Sequence, residues 1–219
     1  MTREILDRKI RHLLDEILVL DSMIEQATLE AVDALRRHDL EKARQVYAGD
    51  KLINARRFEL ENDVIVTIAT QQPIMAGDLR LMASILEVVS ELERIGDYAK
   101  GIAKVTVNLG TQAQLPPLAL ITRMSEITLD MLHRAVGAFV AHDAPTARQI
   151  PLLDDQVDAL YNQVYAELVQ LMIADPSKID QANHLMWAAH NLERMADRVS
   201  NICERTIYIV TGQLVEIDA

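Results

Sequence analysis

Apolar residues recur every three or four positions along most of the chain, as in Leu81, Ile85, Val88, Leu92 and Ile95. That spacing gathers side chains on one face of an α-helix, and these positions are expected in a core. Pro and Gly fall at the ends of the periodic segments rather than inside them, and they divide the chain into six helices. The first runs from Thr2 to Arg37 and ends at His38. Asp39 is a residue type that caps helix starts, and it opens a second helix reaching Thr70, where Gln71-Gln72-Pro73 stops it. Asp78 is expected to cap a third that reaches Asn108. The segment Gly110-Thr111-Gln112-Ala113-Gln114-Leu115-Pro116-Pro117 reads as a linker at the midpoint. A fourth helix follows from Leu118 to His142, and Asp143 caps a fifth that reaches Ala174, its start delayed or kinked at Pro151. Asp175-Pro176-Ser177 opens a sixth that ends near Gly212.

The two sets of three helices also match residue by residue. His38-Asp39 with Ala43-Arg44-Gln45 recurs as His142-Asp143 with Ala147-Arg148-Gln149, an offset of 104 residues. Leu92-Glu93-Arg94-Ile95-Gly96-Asp97 recurs as Leu192-Glu193-Arg194-Met195-Ala196-Asp197 at an offset of 100. The four-residue change falls between the second and third helices of a unit, where a loop tolerates insertions. The expected fold is therefore all-α, with two tandem, sequence-related three-helix bundles over residues 1–110 and 111–219.

Composition agrees with this reading and narrows the function. Of the 219 residues half are apolar and a quarter charged, which suits a globular chain, and 7 Gly, 6 Pro and 2 Phe leave little material for turns or strands. The net charge is −11, and both halves are acidic, with 15 basic against 19 acidic residues up to Gly110 and 7 against 14 after it. A nucleic-acid backbone would be repelled, so nucleic acid is not an expected partner. Cys203 is alone, cannot form an intramolecular disulfide, and is expected as a small core group in a reducing compartment. The N-terminal residues are charged throughout, and the longest apolar stretch, Ala135 to Ala141, is seven residues. A membrane-spanning helix needs about 20, so a soluble chain that docks on a membrane complex is expected rather than one that inserts.

The recurring acids carry the candidate chemistry. Glu93 and Asp97 are four residues apart, about 40° around a helix and about 6 Å along it, so they share a face, and Glu193 and Asp197 repeat them. Like charges so placed repel by a few tenths of a kcal/mol, and their recurrence asks for a compensating partner, either a cation or the neighbouring Arg94 and Arg194. The other arm of each unit offers Asp154 and Asp158, with Asp155 beside them, and the repeat alignment places Asp50 and Asn54 at the matching positions, with Glu61 two turns further on. If the second and third helices of a unit run antiparallel, four or five oxygen ligands converge. Such a set suits Mg²⁺, Ca²⁺, Mn²⁺ or iron rather than a thiolate-bound zinc. Gly96 and Ala196, each one position before the Asp, are expected to leave room for the cluster. His190, one turn before Glu193, is a candidate ligand, but Ser90 replaces it in the first unit and a surface or capping role is preferred; Trp187, aligned with Glu87, is expected as a core anchor or as part of an interface, with the core preferred. No nucleophile motif, phosphate-cradling glycine loop or HExxH occurs.

The segment from Gln71-Gln72-Pro73-Ile74-Met75-Ala76-Gly77-Asp78-Leu79-Arg80 into Leu92-Glu93-Arg94-Ile95-Gly96-Asp97 resembles the first repeat of the PhoU phosphate-signalling proteins. Glu167-Leu168-Val169, Met172 to Pro176, Glu193 to Asp197, Asn201-Ile202-Cys203-Glu204 and Tyr208 to Gly212 resemble the second. The resemblance implies tandem three-helix bundles, usually in a homodimer, whose E/DxxxD motifs hold iron or other metal clusters, with Mg, Mn, Ca or Zn as further options. It also implies a cytoplasmic negative regulator of phosphate uptake that links the ATPase subunit of the phosphate ABC transporter to a sensor histidine kinase. Glu93, Asp97, Glu193 and Asp197 match the metal motif, and Asp50, Asn54, Asp154 and Asp158 match polar positions on the neighbouring helix. Gly101 and Lys104 depart from the pattern that Asn201 and Glu204 keep, so the first site is expected to bind metal differently or more weakly.

Two other readings compete with this non-enzymatic adaptor. A ferritin-like di-metal oxidase calls for Glu-x-x-His on two helices, and none of the six His has a Glu three residues before it. A purely structural scaffold would leave the acidic faces merely solvated.

Overall fold

A computed structural model describes residues 2–110 and 116–217. α1 (Thr2–Arg37) buries Leu6, Leu13, Ile17, Leu20, Ile24, Ala31 and Leu35, which are three, four or seven residues apart and so form one continuous stripe. α2 (Leu40–Thr70) and α3 (Ala76–Leu109) pack against it and each other to complete the first bundle. In the second bundle α4 (Leu118–Ala141), the single turn α5 (Ala144–Ala147), α6 (Asp154–Ala174) and α7 (Ile179–Thr211) take the corresponding places. The described residues contain six long helices and no strand.

The sequence repeat is also a repeat of burial. The outer helix of the first unit buries Ala43, Val46, Asp50, Ile53, Leu60 and Val64, and the same offset of 104 leads to buried Ala147, Ile150, Asp154, Val157, Val164 and Leu168. Their spacing is that of a narrow coiled-coil seam. In the central helices Ile85, Val88, Val89, Leu92, Ile95 and Ala99 recur 100 residues later as Leu185, Ala188, Ala189, Leu192, Met195 and Val199, all buried. Each such large aliphatic group contributes about 1.5–3 kcal/mol relative to leaving it in water. The two bundles meet through α3 against α7 and α1 against α4, so the core runs unbroken from one to the other.

The helix ends repeat too. Asp39 Oδ1 accepts from Lys42 N at 2.9 Å, and Asp143 Oδ1 accepts from Thr146 N at 3.1 Å. The residue before each, His38 and His142, takes a left-handed conformation, with φ of 59° and 56°. Such a φ is uncommon outside Gly, and it turns the chain sharply enough to start the next helix at once.

Several expectations need correction. Asp78 does not cap α3 from outside: it lies in the first turn, accepts from Met75 N at 3.3 Å, and pairs with Arg3 Nη1 at 2.5 Å. The fifth helix is not continuous, because Asp143 caps only α5; a 3₁₀ turn at Pro151–Leu153 precedes α6, and another at Pro176–Lys178 precedes α7. Trp187 is 61% exposed rather than in the core. Gly96 makes no room for acids: a Cβ there would lie 3.3 Å from Ile53 Cγ2, so it serves the close approach of α3 to α2, and Ala196 is likewise buried. Cys203 is buried as expected, and its thiol is pushed up to about 12, first by burial. Of the midpoint linker, residues 111–115 lie outside the described residues, and with them the division placed at 110 and 111.

Candidate metal centre

Asp50 and Asp154 occupy seam positions of their helices where apolar residues are the rule, and this is why carboxylates reach the interior. A buried carboxylate must find a counter-charge or hydrogen-bond donors, or else stay protonated. The two bundles answer that demand differently.

In the second bundle α6 and α7 run antiparallel and bring Asp154 and Asp158 towards Glu193 and Asp197. Burial, reinforced by Asp158, Asp197, Glu193 and Asp155, pushes the Asp154 carboxyl up to about 7. Asp158 is raised by burial and then by Asp197, and Glu193 by burial and then by Asp197. Asp154 Oδ1 and Glu193 Oε2 are buried without a hydrogen bond. His190 Nδ1 is 3.2 Å from Glu193 Oε2, an ion-pair distance without hydrogen-bond geometry, and Arg194 Nε reaches Asp197 Oδ2 only at 3.9 Å. His190 also lies against Tyr161 and Trp187, with ring centroids 6.1 and 5.9 Å away, beside a groove of about 430 Å³. The acids are thus mutually repelling and under-compensated.

In the first bundle the chain supplies its own cations. Lys100 Nζ lies 2.6 Å from Asp50 Oδ2 and 3.4 Å from Asp97 Oδ1, and Asn54 Nδ2 donates to the same Asp50 oxygen at 3.0 Å. Arg57 Nη1 lies 3.2 Å from Glu93 Oε1 while its Nε donates to Glu61 Oε1 at 2.9 Å. The Lys100 ammonium is raised chiefly by its bond to Asp50, and the Arg57 guanidinium by its bond to Glu61. In the repeat, Ser200 stands at the position of Lys100 and Tyr161 at that of Arg57.

All eight sequence-identified residues therefore lie on the facing helices, four per bundle, but their ligand atoms are not drawn tightly together. Among the described residues, the group whose ligand atoms all lie within 4.8 Å of one another is Asp21, Glu25 and His133. Neither this group nor the counter-ion roles of Lys100 and Arg57 were anticipated. Aligning the two repeats would have exposed the second, since Arg57 shares its register with Tyr161 and Lys100 with Ser200.

Comparison with known proteins bears on what these bundles are for. The PhoU domain matches residues 6–106 and, a second time, residues 121–206. The chain belongs to the PhoU family. A relative named phosphate-specific transport system accessory protein PhoU homolog, from Clostridium acetobutylicum, is 34% identical over 218 residues, all of both chains. The Escherichia coli phosphate-specific transport system accessory protein PhoU is 32% identical over 90% of this chain and 82% of its own. The crystal structure of the phosphate transport system regulatory protein PhoU from Streptococcus pneumoniae aligns with a TM-score of 0.90 at 31% identity, covering 97% of this chain and 100% of that one. The crystal structure of PhoU from Pseudomonas aeruginosa gives 0.89 at 31% identity over 94% and 99%. The PhoU repeat limits fall inside the two bundles, and no described helix is long and apolar enough to cross a membrane.

Proposed function

We propose that this chain is a regulatory accessory protein of a phosphate-specific transport system and works by binding partners, without turnover. The observation that carries this reading is likeness over the whole chain to proteins bearing that name. Its partners are the ATPase subunit of the phosphate ABC transporter and a phosphate-sensing histidine kinase, which it joins in the cytoplasm as a homodimer. The net charge of −11 favours basic patches on those partners and binding that weakens as salt rises.

Asp154, Asp158, Glu193 and Asp197 would hold a metal ion or a small iron cluster. Two buried oxygens without a hydrogen bond and an all-oxygen donor set support this, the hard-cation chemistry of such sets extending to Mg²⁺, Mn²⁺ and Ca²⁺. The ion would supply the positive charge that this bundle lacks and bridge α6 to α7. In the first bundle Asp50, Asn54, Glu93 and Asp97 form the corresponding, weaker set, with Lys100 and Arg57 competing for the same oxygens. Pull-down with the transporter ATPase and the sensor kinase, at high and low phosphate, tests the adaptor role; failure to bind either would count heavily against it. Metal content of protein purified without chelators, compared with a Glu193→Ala/Asp197→Ala variant, tests the centre. Loss from the variant is expected, and equal content in both would remove the site.

A further inference from the structure

The tightest group of potential ligands lies outside both repeat motifs, where the first bundle meets the second. Asp21 and Glu25 sit one turn apart on α1, and His133 faces them from α4. His133 Nδ1 is 3.1 Å from Glu25 Oε1, and one ligand atom from each of the three residues lies within 4.8 Å of the other two. Asp21 is only 5% exposed, and its Oδ1 is buried with no hydrogen-bond partner. Among the described residues no Lys or Arg forms an ion pair with Asp21 or Glu25. Once ionised, a buried carboxylate oxygen without donor or counter-charge costs several kcal/mol, a cost that either a proton or a bound cation relieves.

The geometry points to a single divalent transition-metal site formed by Asp21, Glu25 and His133, which ties the two bundles together across the α1–α4 seam. Ligand atoms about 2.1 Å from an ion are at most about 4.2 Å apart, so the present spacing closes with a small rotation of the outermost side chain. That side chain is His133, which is 76% exposed and pairs with Glu25. One imidazole with two carboxylates suits Zn²⁺, Mn²⁺, Fe²⁺ or Co²⁺ better than Mg²⁺ or Ca²⁺. The site occurs once per chain, because the positions related by the offset of 104 are Ser125, Leu129 and Leu29. It is therefore independent of the repeated acids on α6 and α7.

The test is Zn²⁺ binding to chelator-stripped, full-length protein by equilibrium dialysis, in a background carrying Asp158→Asn and Asp197→Asn. In that background, with Lys100 and Arg57 occupying the first bundle's acids, we expect one tightly bound Zn²⁺ per chain, with its affinity reduced at least tenfold by His133→Gln and likewise by Asp21→Asn. With Co²⁺ in place of Zn²⁺, visible absorption bands should appear in the background protein and vanish in His133→Gln. His133 is exposed, so its replacement does not threaten the fold, and the result stands even if Asp21→Asn misfolds. Unchanged affinity and spectrum in His133→Gln would overturn the proposal, as would absence of Zn²⁺ binding from the Asp158→Asn/Asp197→Asn background.

Discussion

Glu91 Oε2 on α3 accepts a hydrogen bond from Asn201 Nδ2 on α7 at 3.1 Å, and Arg198 Nη1 lies 3.4 Å from the same oxygen. The repeat-related crossing, 100 residues on, brings Gly101 against Asn191, where a Cβ on Gly101 would come within 2.9 Å of the Asn191 amide nitrogen. One pseudo-symmetric joint thus uses a carboxylate in one half and the lack of a side chain in the other. Glu91→Ala should destabilise the fold by about 1–3 kcal/mol, by stripping partly buried Arg198 and Asn201 of their acceptor. Gly101→Val should cost about 1–3 kcal/mol through overpacking. Urea unfolding of both variants checks this, and wild-type midpoints would refute the proposed joint.

Lys100 keeps the first bundle's acids in balance. Replacing it by Ser, the residue at the matching position of the second bundle, leaves Asp50 buried with only Asn54 beside it. Lys100→Ser should therefore cost about 2–4 kcal/mol in metal-free protein, discounted for the partial exposure of the Lys. Adding Asp50→Asn should restore most of that loss. A double-mutant cycle by thermal or urea unfolding measures the coupling.

Two buried carboxyls set an unusual pH dependence. Asp21 is pushed up to about 8, first by burial, and Asp154 to about 7, first by burial, both from 3.8. Between pH 4 and the raised values the folded state binds more protons than the unfolded one, so stability falls as pH rises through that window. Each group contributes at most about 1.4 kcal/mol per pH unit. Glu30, lowered chiefly by Lys42, acts in the opposite sense, but its contribution is lost only on acidification below the ordinary Glu value of 4.5. Chelator-treated protein should melt at a higher temperature at pH 5.5 than at pH 8, with Asp21→Asn and Asp154→Asn each flattening the slope. A melting temperature that climbs between those pH values would contradict the burial assigned to both groups.

Gly49 and Gly137, both well inside their helices, have open space where a side chain would go. A Cβ at Gly49 or Gly137 would meet nothing within 4 Å. Both lie inside helices, so Gly49→Ala and Gly137→Ala should each stabilise by up to about 1 kcal/mol, the helix-propensity difference. Calorimetry reads this as an upward shift in melting temperature; a downward shift would mean that these faces are covered in solution.

What the chain discloses before folding depends on how local the governing physics is. The long helices, the Asp39 and Asp143 caps and the doubled architecture follow from periodicity and internal alignment, and the structure keeps them nearly residue for residue. Asp50 could be matched to Asp154 on the other arm of its unit because the repeat alignment pairs the two positions. Non-local geometry was the part that stayed hidden. Whether Gly96 spares space for acids or for Ile53 is decided by how close two helices come. Trp187 lies on an exposed face of α7, and hydrophobicity alone sent it inward. Lys100 and Arg57 looked like ordinary charged helix residues until the facing arm brought carboxylates to them. Asp21, Glu25 and His133 belong to different repeats, and no spacing rule spans 108 residues.

The exchange of Lys100 for Ser200, and of Arg57 for Tyr161, gives a nearly symmetric body a direction. Its backbone looks alike from either end, yet one end is electrically sealed and the other stays open to outside charge. A docking protein that feels only shape could seat itself in two opposite orientations, whereas one that senses potential has a single way round.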